Sequence, residues 1–268
     1  MKRVSFLMFT ILLLFSCNVN PYRKSNAAYR KQLRILKETI SKKDTISIAT
    51  GLTTAFIGTT NFNLRKPNFV IIHHTAQDSV QQTLKTFTLA RTQVSAHYVI
   101  AKNGRITQML NDYLRAWHAG SGTWGKNSDI NSCSIGIELD NNGAESFAAS
   151  QIKSLLALLR KLKKEYNIPV QNFLGHCDIA PTRKNDPSKY FPWQQLSENG
   201  FGLWQIDDLV AAPPTFNVEM GLNIIGYDTK NLPDAVKAFK LHYNQKEVDN
   251  VLDQPTIDLI YNIYLQQH

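Results

Sequence analysis

The sequence predicts an α/β fold in which helices flank a mixed central β-sheet, with a small C-terminal three-helix module. Three observations carry this expectation. Phe69-Val70-Ile71-Ile72 is a continuous apolar run, as expected of a strand buried on both faces. Gln151–Tyr166 bears one apolar stripe (Ile152, Leu155, Leu156, Leu159, Leu162 and Tyr166), while Arg160, Lys161, Lys163 and Lys164 decorate the rest, which is the pattern of a helix lying on a sheet. Beyond Ala211-Ala212-Pro213-Pro214, a stretch that punctuates the chain, come three short helical patterns.

Taken in order, the chain opens with Lys2 and Arg3, an apolar stretch from Val4 to Phe15, then Ser16 and Cys17. That is a basic n-region followed by an h-region too short to span a bilayer. Leu14-Phe15-Ser16-Cys17 resembles a bacterial lipobox, in which the Cys is acylated and becomes the first mature residue. The expectation is a lipoprotein signal peptide over residues 1–16 and lipidation at Cys17, with export, tethering and no residual transmembrane helix. An ordinary leader with a chance Cys is the weaker reading. An internal anchor helix is weaker still, because the polar and basic Asn18–Lys24 stretch follows.

Residues 17–43 form a basic tether, with Arg23, Lys24, Arg30, Lys31, Arg34, Lys37, Lys42 and Lys43 against Glu38 alone. Tyr29, Leu33, Leu36 and Ile40 fall at helical spacing, so a short amphipathic helix is the alternative to a solvated arm. Its charge would suit anionic headgroups or wall polymer. The solvated arm is preferred.

Residues 44–204 read as the catalytic domain. Ser95–Ile100 and Arg105–Leu110 read as strands joined by a hairpin turn at Asn103-Gly104. Ser134–Asp140 is another strand, whose alternation sends Ile135, Ile137 and Leu139 to one face and Gly136 with Glu138 to the other. Asn167 and Pro169 end the long helix, and Phe173–His176 reads as a last short strand. In residues 205–268, Pro233 and Pro255 each sit where a helix begins, because Pro is tolerated in the first turn.

Composition sets the class. Hydrophobic residues make up 43% and charged residues 19% of the 268, which describes a globular protein and excludes a disordered or membrane-embedded one. The formal charge is +9, or +7 without Lys2 and Arg3, so an anionic partner is expected. Nucleic acid, anionic lipid and cell-wall carboxylates all qualify on charge alone. With Cys17 consumed, Cys133 and Cys177 remain, and two cysteines are no disulfide framework.

The chemistry lies in the histidines. His73, His74, His97, His118 and His176 all sit beside strand-like or loop segments. His73 follows the buried strand, and His176 follows Phe173-Leu174-Gly175. Asp186 comes ten residues after His176. Two imidazoles and a carboxylate on three segments suit an open tetrahedral zinc site with water in the fourth position. Singly, each His would as readily be a packed core residue; jointly they point to a metal.

Near such a metal, Glu138 would accept a proton from the activated water and pass it to a leaving amine, and Gly136 beside it is expected to leave room for substrate; taken alone, Glu138 reads as an exposed strand carboxylate. Lys184, two residues before Asp186, would stabilise an oxyanion; taken alone it is a solvated loop charge. No His-Glu-x-x-His helix and no Gly-x-Ser-x-Gly elbow is present. Cys177 as nucleophile or ligand is disfavoured, because neighbouring side chains on a strand point apart.

The series Val70–Ala76, Ser95–Ile100, Ala116-Trp117-His118-Ala119-Gly120, Ser134–Leu139 and Gly175–Pro187 resembles the type 2 N-acetylmuramoyl-L-alanine amidases, a family that includes phage lysozyme-amidases and peptidoglycan recognition proteins. The likeness spans roughly residues 61–204, with its motifs in family order. Ile225-Gly226-Tyr227-Asp228 and Ala238–Tyr243 look like the small helical wall-binding module of lipoprotein amidases from Gram-negative outer membranes. The resemblance implies the type 2 amidase fold and hydrolysis of the bond between muramic acid and L-alanine. It implies zinc on His73, His176 and Asp186, with Glu138 and Lys184 as the catalytic pair. It also implies a groove lined by His97, Trp117, His118, Asn131 and Arg183.

The implied partners are peptidoglycan or muropeptides and, through Cys17, a membrane. Nucleic acid is not among them, and the chain is expected to be a monomer on the outer membrane facing the periplasm. Cys177 stands where Ser is usual and Ser188 where Gly is usual; neither change removes a ligand. Two rivals remain at this stage: a non-catalytic wall-binding protein on the same fold, and a zinc peptidase acting within the stem.

Overall fold

The computed structural model describes residues 20–42, 59, 61, 63–206 and 208–267. The expected signal peptide and the expected lipidation site at Cys17 lie outside them. The chain divides into two compact units, residues 1–61 and 62–268.

In the first unit the basic segment is helical over Arg23–Lys42 (α1), with most of its residues exposed. It contains no Gly or Pro, and its apolar residues recur every three to four positions. Ile35, Leu36 and Ile40 on it are exposed. Among the described residues no helix is long and apolar enough to cross a membrane.

The second unit is built on five strands: β1 (Phe69–His74), β2 (Tyr98–Ile100), β3 (Ile106–Gln108), β4 (Ser134–Leu139) and β5 (Phe173–Gly175). Their order across the sheet is β3-β2-β4-β1-β5. All neighbours are parallel except β2 and β3, which form the hairpin turned at Asn103-Gly104. Gly104 has φ +84°, and a Cβ there would come within 2.7 Å of the Ser150 carbonyl, so the turn needs glycine. The helices of this unit are α2 (Val80–Thr88), α3 (Ile130–Cys133), α4 (Ala149–Tyr166), α5 (His176–Ile179), α6 (Trp193–Glu198), α7 (Val218–Ile225), α8 (Leu232–Tyr243) and α9 (Gln254–Leu265).

Two apolar clusters cover the two sheet faces. On one, Val70, Ile72, Ile135, Ile137 and Leu139 meet Ile152, Leu155, Leu159 and Leu162 of α4. On the other, Phe69, Ile71 and Leu174 meet Ile179 of α5 and Leu222, Val236, Phe239 and Ile260 of the C-terminal helices. Each of these side chains contributes on the order of 1.5–3 kcal/mol on burial. Phe69–Ile72 of β1 is a continuous apolar run because both its faces are covered.

Two of the three C-terminal helices, α8 and α9, begin where Pro233 and Pro255 place them. Asn231 and Asp253 cap α8 and α9, each accepting a backbone N–H of the first turn. They share a compact unit and a hydrophobic cluster with the catalytic domain, so the boundary drawn at residue 205 is no gap in the structure. The linker segment is fastened to α9: Val210 exchanges hydrogen bonds with the Asn262 amide, and the Ala212 N–H donates to Asp258 Oδ1.

One further expectation is corrected. The strand expected over Phe173–His176 ends at Gly175, and His176 opens α5. Cys133 and Cys177 are free thiols, and Cys177 is fully buried in the core.

Candidate active site

Parallel register brings the site together. His73 of β1 pairs with Glu138 of β4, and Ile72 pairs with Gly175 of β5, directly before His176. The C-terminal ends of three adjacent parallel strands thus present Glu138, His73 and His176, where open α/β sheets place their ligands. Asp186 is drawn in by its own backbone, whose carbonyl accepts the Cys177 N–H at 2.8 Å.

His73 Nδ1, His176 Nδ1 and Asp186 Oδ2 form a triangle with edges of 3.0, 3.1 and 3.2 Å. All three residues are buried. Zinc bonds of about 2.0–2.1 Å in tetrahedral geometry would set such ligands roughly 3.3 Å apart, so the donor set fits that ion with little movement. Among the described residues this is the one group of metal-binding type.

Burial, reinforced by His176, lowers the His73 pKa to about 4, so its ring is a neutral donor at physiological pH. Burial pushes the Asp186 carboxyl up, but hydrogen bonds and charge from His176 and His73 outweigh it and hold the group well below the usual range.

The far nitrogen of His73 is also committed. His73 Nε2 lies 3.2 Å from His118 Nδ1, His118 Nε2 lies 3.1 Å from Ser134 Oγ, and Ser134 donates to the Ile130 carbonyl at 2.6 Å. Because the chain ends on a carbonyl, every donor in it points the same way. His73 carries its proton on Nε2, leaving the Nδ1 lone pair free for a metal. His176 has no such relay: its Nε2 is buried without a partner among the described residues.

Glu138 sits beside this triangle with Oε2 buried and unpartnered. Burial raises its carboxyl to about 8, Asp186 pushes the same way, and Lys184 opposes. A carboxylate so placed holds or releases a proton near neutrality, as a general base requires. Lys184 itself is exposed, and its charge reaches Glu138, His73 and His74. Gly136 does not leave open space: a Cβ there would lie 2.4 Å from His118 Cγ, so the His118 ring fills that room.

Residues 63–189 match the family described as N-acetylmuramoyl-L-alanine amidase. The chain is 39% identical over 221 residues to N-acetylmuramoyl-L-alanine amidase AmiD of Escherichia coli K12, an alignment covering 70% of this chain and 78% of that protein. This chain belongs to the N-acetylmuramoyl-L-alanine amidase family.

Structures agree. The complex of the Escherichia coli amidase AmiD with its anhydromuramic peptide substrate superposes with a TM-score of 0.68 at 27% identity, covering 84% of this chain and 98% of that one. AmpDh3 of Pseudomonas aeruginosa gives 0.69 at 26% identity, covering 82% and 98%. The 1,6-anhydro-N-acetylmuramyl-L-alanine amidase AmpD of Haemophilus influenzae is 43% identical over 104 residues, which is 38% of this chain and 56% of that protein.

Of the five residues expected to line this amidase's groove, two face solvent. Trp117 is 52% exposed, and Arg183 is exposed with its guanidinium over Gly120. The other three lie beneath the surface. Asn131 Oδ1 accepts the N–H groups of His118 and Ala119, both at 2.9 Å, and so holds the loop that carries His118. His97 Nδ1 accepts the Gly136 N–H, and its Nε2–H donates to the Leu114 carbonyl. His118 belongs to the relay behind His73. These three position the amidase's site from below.

Arg65 carried no sequence signal, being one loop cation among many. Its guanidinium donates to the carbonyls of Asp112, Tyr113, Leu114 and Ser132, tying the loop before His118 to the entry of β4. Asp178, Tyr227 and His242 were likewise missed, because their partnership joins distant segments.

Proposed function

We propose that this amidase is a zinc hydrolase of the cell envelope that strips peptide stems from muramic acid in peptidoglycan or its fragments. The reaction is hydrolysis of the amide between the lactyl group of N-acetylmuramic acid and L-alanine. The observation that carries the zinc reading is the buried triangle of His73, His176 and Asp186 with the Glu138 carboxylate beside it.

Zinc held by those three residues would act as a Lewis acid and lower the pKa of water toward about 7. Glu138 takes the proton from the attacking water and delivers it to the L-alanine nitrogen as the C–N bond breaks. The lactyl carbon gains the hydroxyl oxygen, and no covalent enzyme intermediate is needed. The Lys184 ammonium balances the oxyanion that develops on the carbonyl. The charge of Lys184 also opposes the rise that burial imposes on the Glu138 carboxyl. Trp117 offers an exposed face for a sugar or peptide, and Arg183 offers a partner for stem carboxylates.

The lipobox-like Leu14–Cys17 supports a lipid anchor, with the protein held at the outer membrane and facing the periplasm as a monomer. The basic α1, seven residues of which are Lys or Arg, would then lie close to the headgroups. The helices over residues 205–268 are read as a peptidoglycan-binding-like module. The experiment for the activity is alanine substitution at His176 or Asp186, which abolishes release of stem peptide; normal turnover in either variant would overturn the assignment. Globomycin-sensitive incorporation of labelled palmitate, lost in Cys17→Ser, tests the anchor.

A further inference from the structure

We infer that the C-terminal helices position the metal ligand His176 through a buried carboxylate, Asp178, so that Tyr227 and His242 are positioning residues for catalysis. This rests on the zinc reading above. Asp178 is the third residue of α5, two after His176, and is fully buried. Its Oδ2 accepts the Gly175 N–H at 2.6 Å and His242 Nδ1 at 2.7 Å, and its Oδ1 accepts the Tyr227 hydroxyl at 2.6 Å. In this arrangement His242 donates from Nδ1 to the carboxylate. Charge-assisted bonds this short are strong and directional.

The three donors come from separate places. Gly175 is the residue immediately before the ligand His176. Tyr227 follows α7, and His242 lies on α8, 64 residues from Asp178 in sequence. The His242 ring is stacked between Trp193, at 3.8 Å, and Tyr243, at 4.1 Å, which fixes its direction.

The junction between β5 and α5 has no slack. A Cβ on Gly175 would come within 2.9 Å of Pro187, 3.0 Å of Cys177 Sγ and 3.2 Å of Trp193. His73 is oriented by its own relay through His118 and Ser134. His176, with its far nitrogen unpartnered, depends on the backbone of α5 for its aim, and Asp178 ties that backbone to the C-terminal helices.

The test uses the purified full chain and measures zinc affinity by competition with a chromogenic chelator, alongside melting temperature and steady-state kinetics on a soluble muropeptide. Tyr227→Phe and His242→Phe keep the rings and remove the donors; His242→Asn restores a donor near the place of Nδ1. Ile263→Val, on α9, is a control for loss of stability alone. Each Phe variant should weaken zinc binding about tenfold, the lower end of what losing an outer partner of a metal ligand costs. kcat should fall with KM unchanged, His242→Asn should recover most of the loss, and the double Phe variant should be far from multiplicative because both residues act on one carboxylate.

Zinc affinity equal to wild type in both Phe variants would overturn the inference. So would a loss no larger than that of Ile263→Val at the same melting temperature. A change in KM or in retention on wall sacculi with zinc binding intact would make the helices a wall-binding element instead. Failure of the wild type to bind zinc would overturn the site reading itself, a distinct result.

Discussion

His73 on β1 and Glu138 on β4 are register partners on adjacent parallel strands, so an imidazole and a carboxylate leave the sheet side by side. Parallel pairing fixes this relation more firmly than any loop could. A slip of one residue in either strand would exchange that strand's faces and turn its group into the α4 core.

The first prediction concerns Glu138 and pH. In the folded protein without metal its carboxyl keeps a proton up to about 8, whereas an unfolded chain releases it near about 4.3. Between these values the folded state binds more protons, so this group's contribution to stability falls as pH rises through the window. Glu138→Gln, neutral throughout, should melt at the same temperature as wild type at pH 4.3 and progressively higher than it toward pH 8. Parallel melting curves at all pH values would contradict this. The same variant should lose about 10²–10⁴-fold in turnover, the usual worth of a general base.

The relay behind His73 gives the second. Ser134→Ala leaves the His118 Nε2–H buried without an acceptor and should cost about 1–3 kcal/mol in denaturant unfolding. His118→Ala frees His73 to rotate and should weaken zinc binding by about 10–100-fold. Unaltered zinc affinity in His118→Ala would remove the relay from the account.

Gly136 gives the third. A methyl group there meets the His118 ring at 2.4 Å, so Gly136→Ala must displace that ring. The expected cost is about 1–3 kcal/mol, typical of overpacking, together with a loss of turnover. A variant as stable and active as wild type would mean that the ring moves freely.

A fourth separates core from chemistry. Leu159 of α4 is fully buried against the sheet face opposite the site. Leu159→Ala should cost about 2–5 kcal/mol while leaving zinc affinity near wild type at temperatures where it is folded. Equal losses in both would mean that the two faces are coupled.

Much of this was legible in the sequence, and for physical reasons. β1, β4 and α4 are long enough for periodicity to declare which faces are buried. His73 and His176 were placed because each directly follows an apolar strand. Other features left no such trace. At four residues α5 is too short to show a period, so it read as the end of a strand. Gly136 read as open space because the ring that fills it comes from His118, on another segment. The helical patterns beyond Pro214 announced helices, but not that Ile71 and Leu174 of the sheet were what they cover. Asp178 and His242 are joined only by the fold.

The measurement that tests the central claim most directly is mass spectrometry of purified muropeptides incubated with the protein, with and without a zinc chelator. The account predicts free stem peptide beginning at L-alanine, absent after chelation and restored by added zinc. Muropeptides left intact by protein carrying zinc, or cut within the stem, would contradict it.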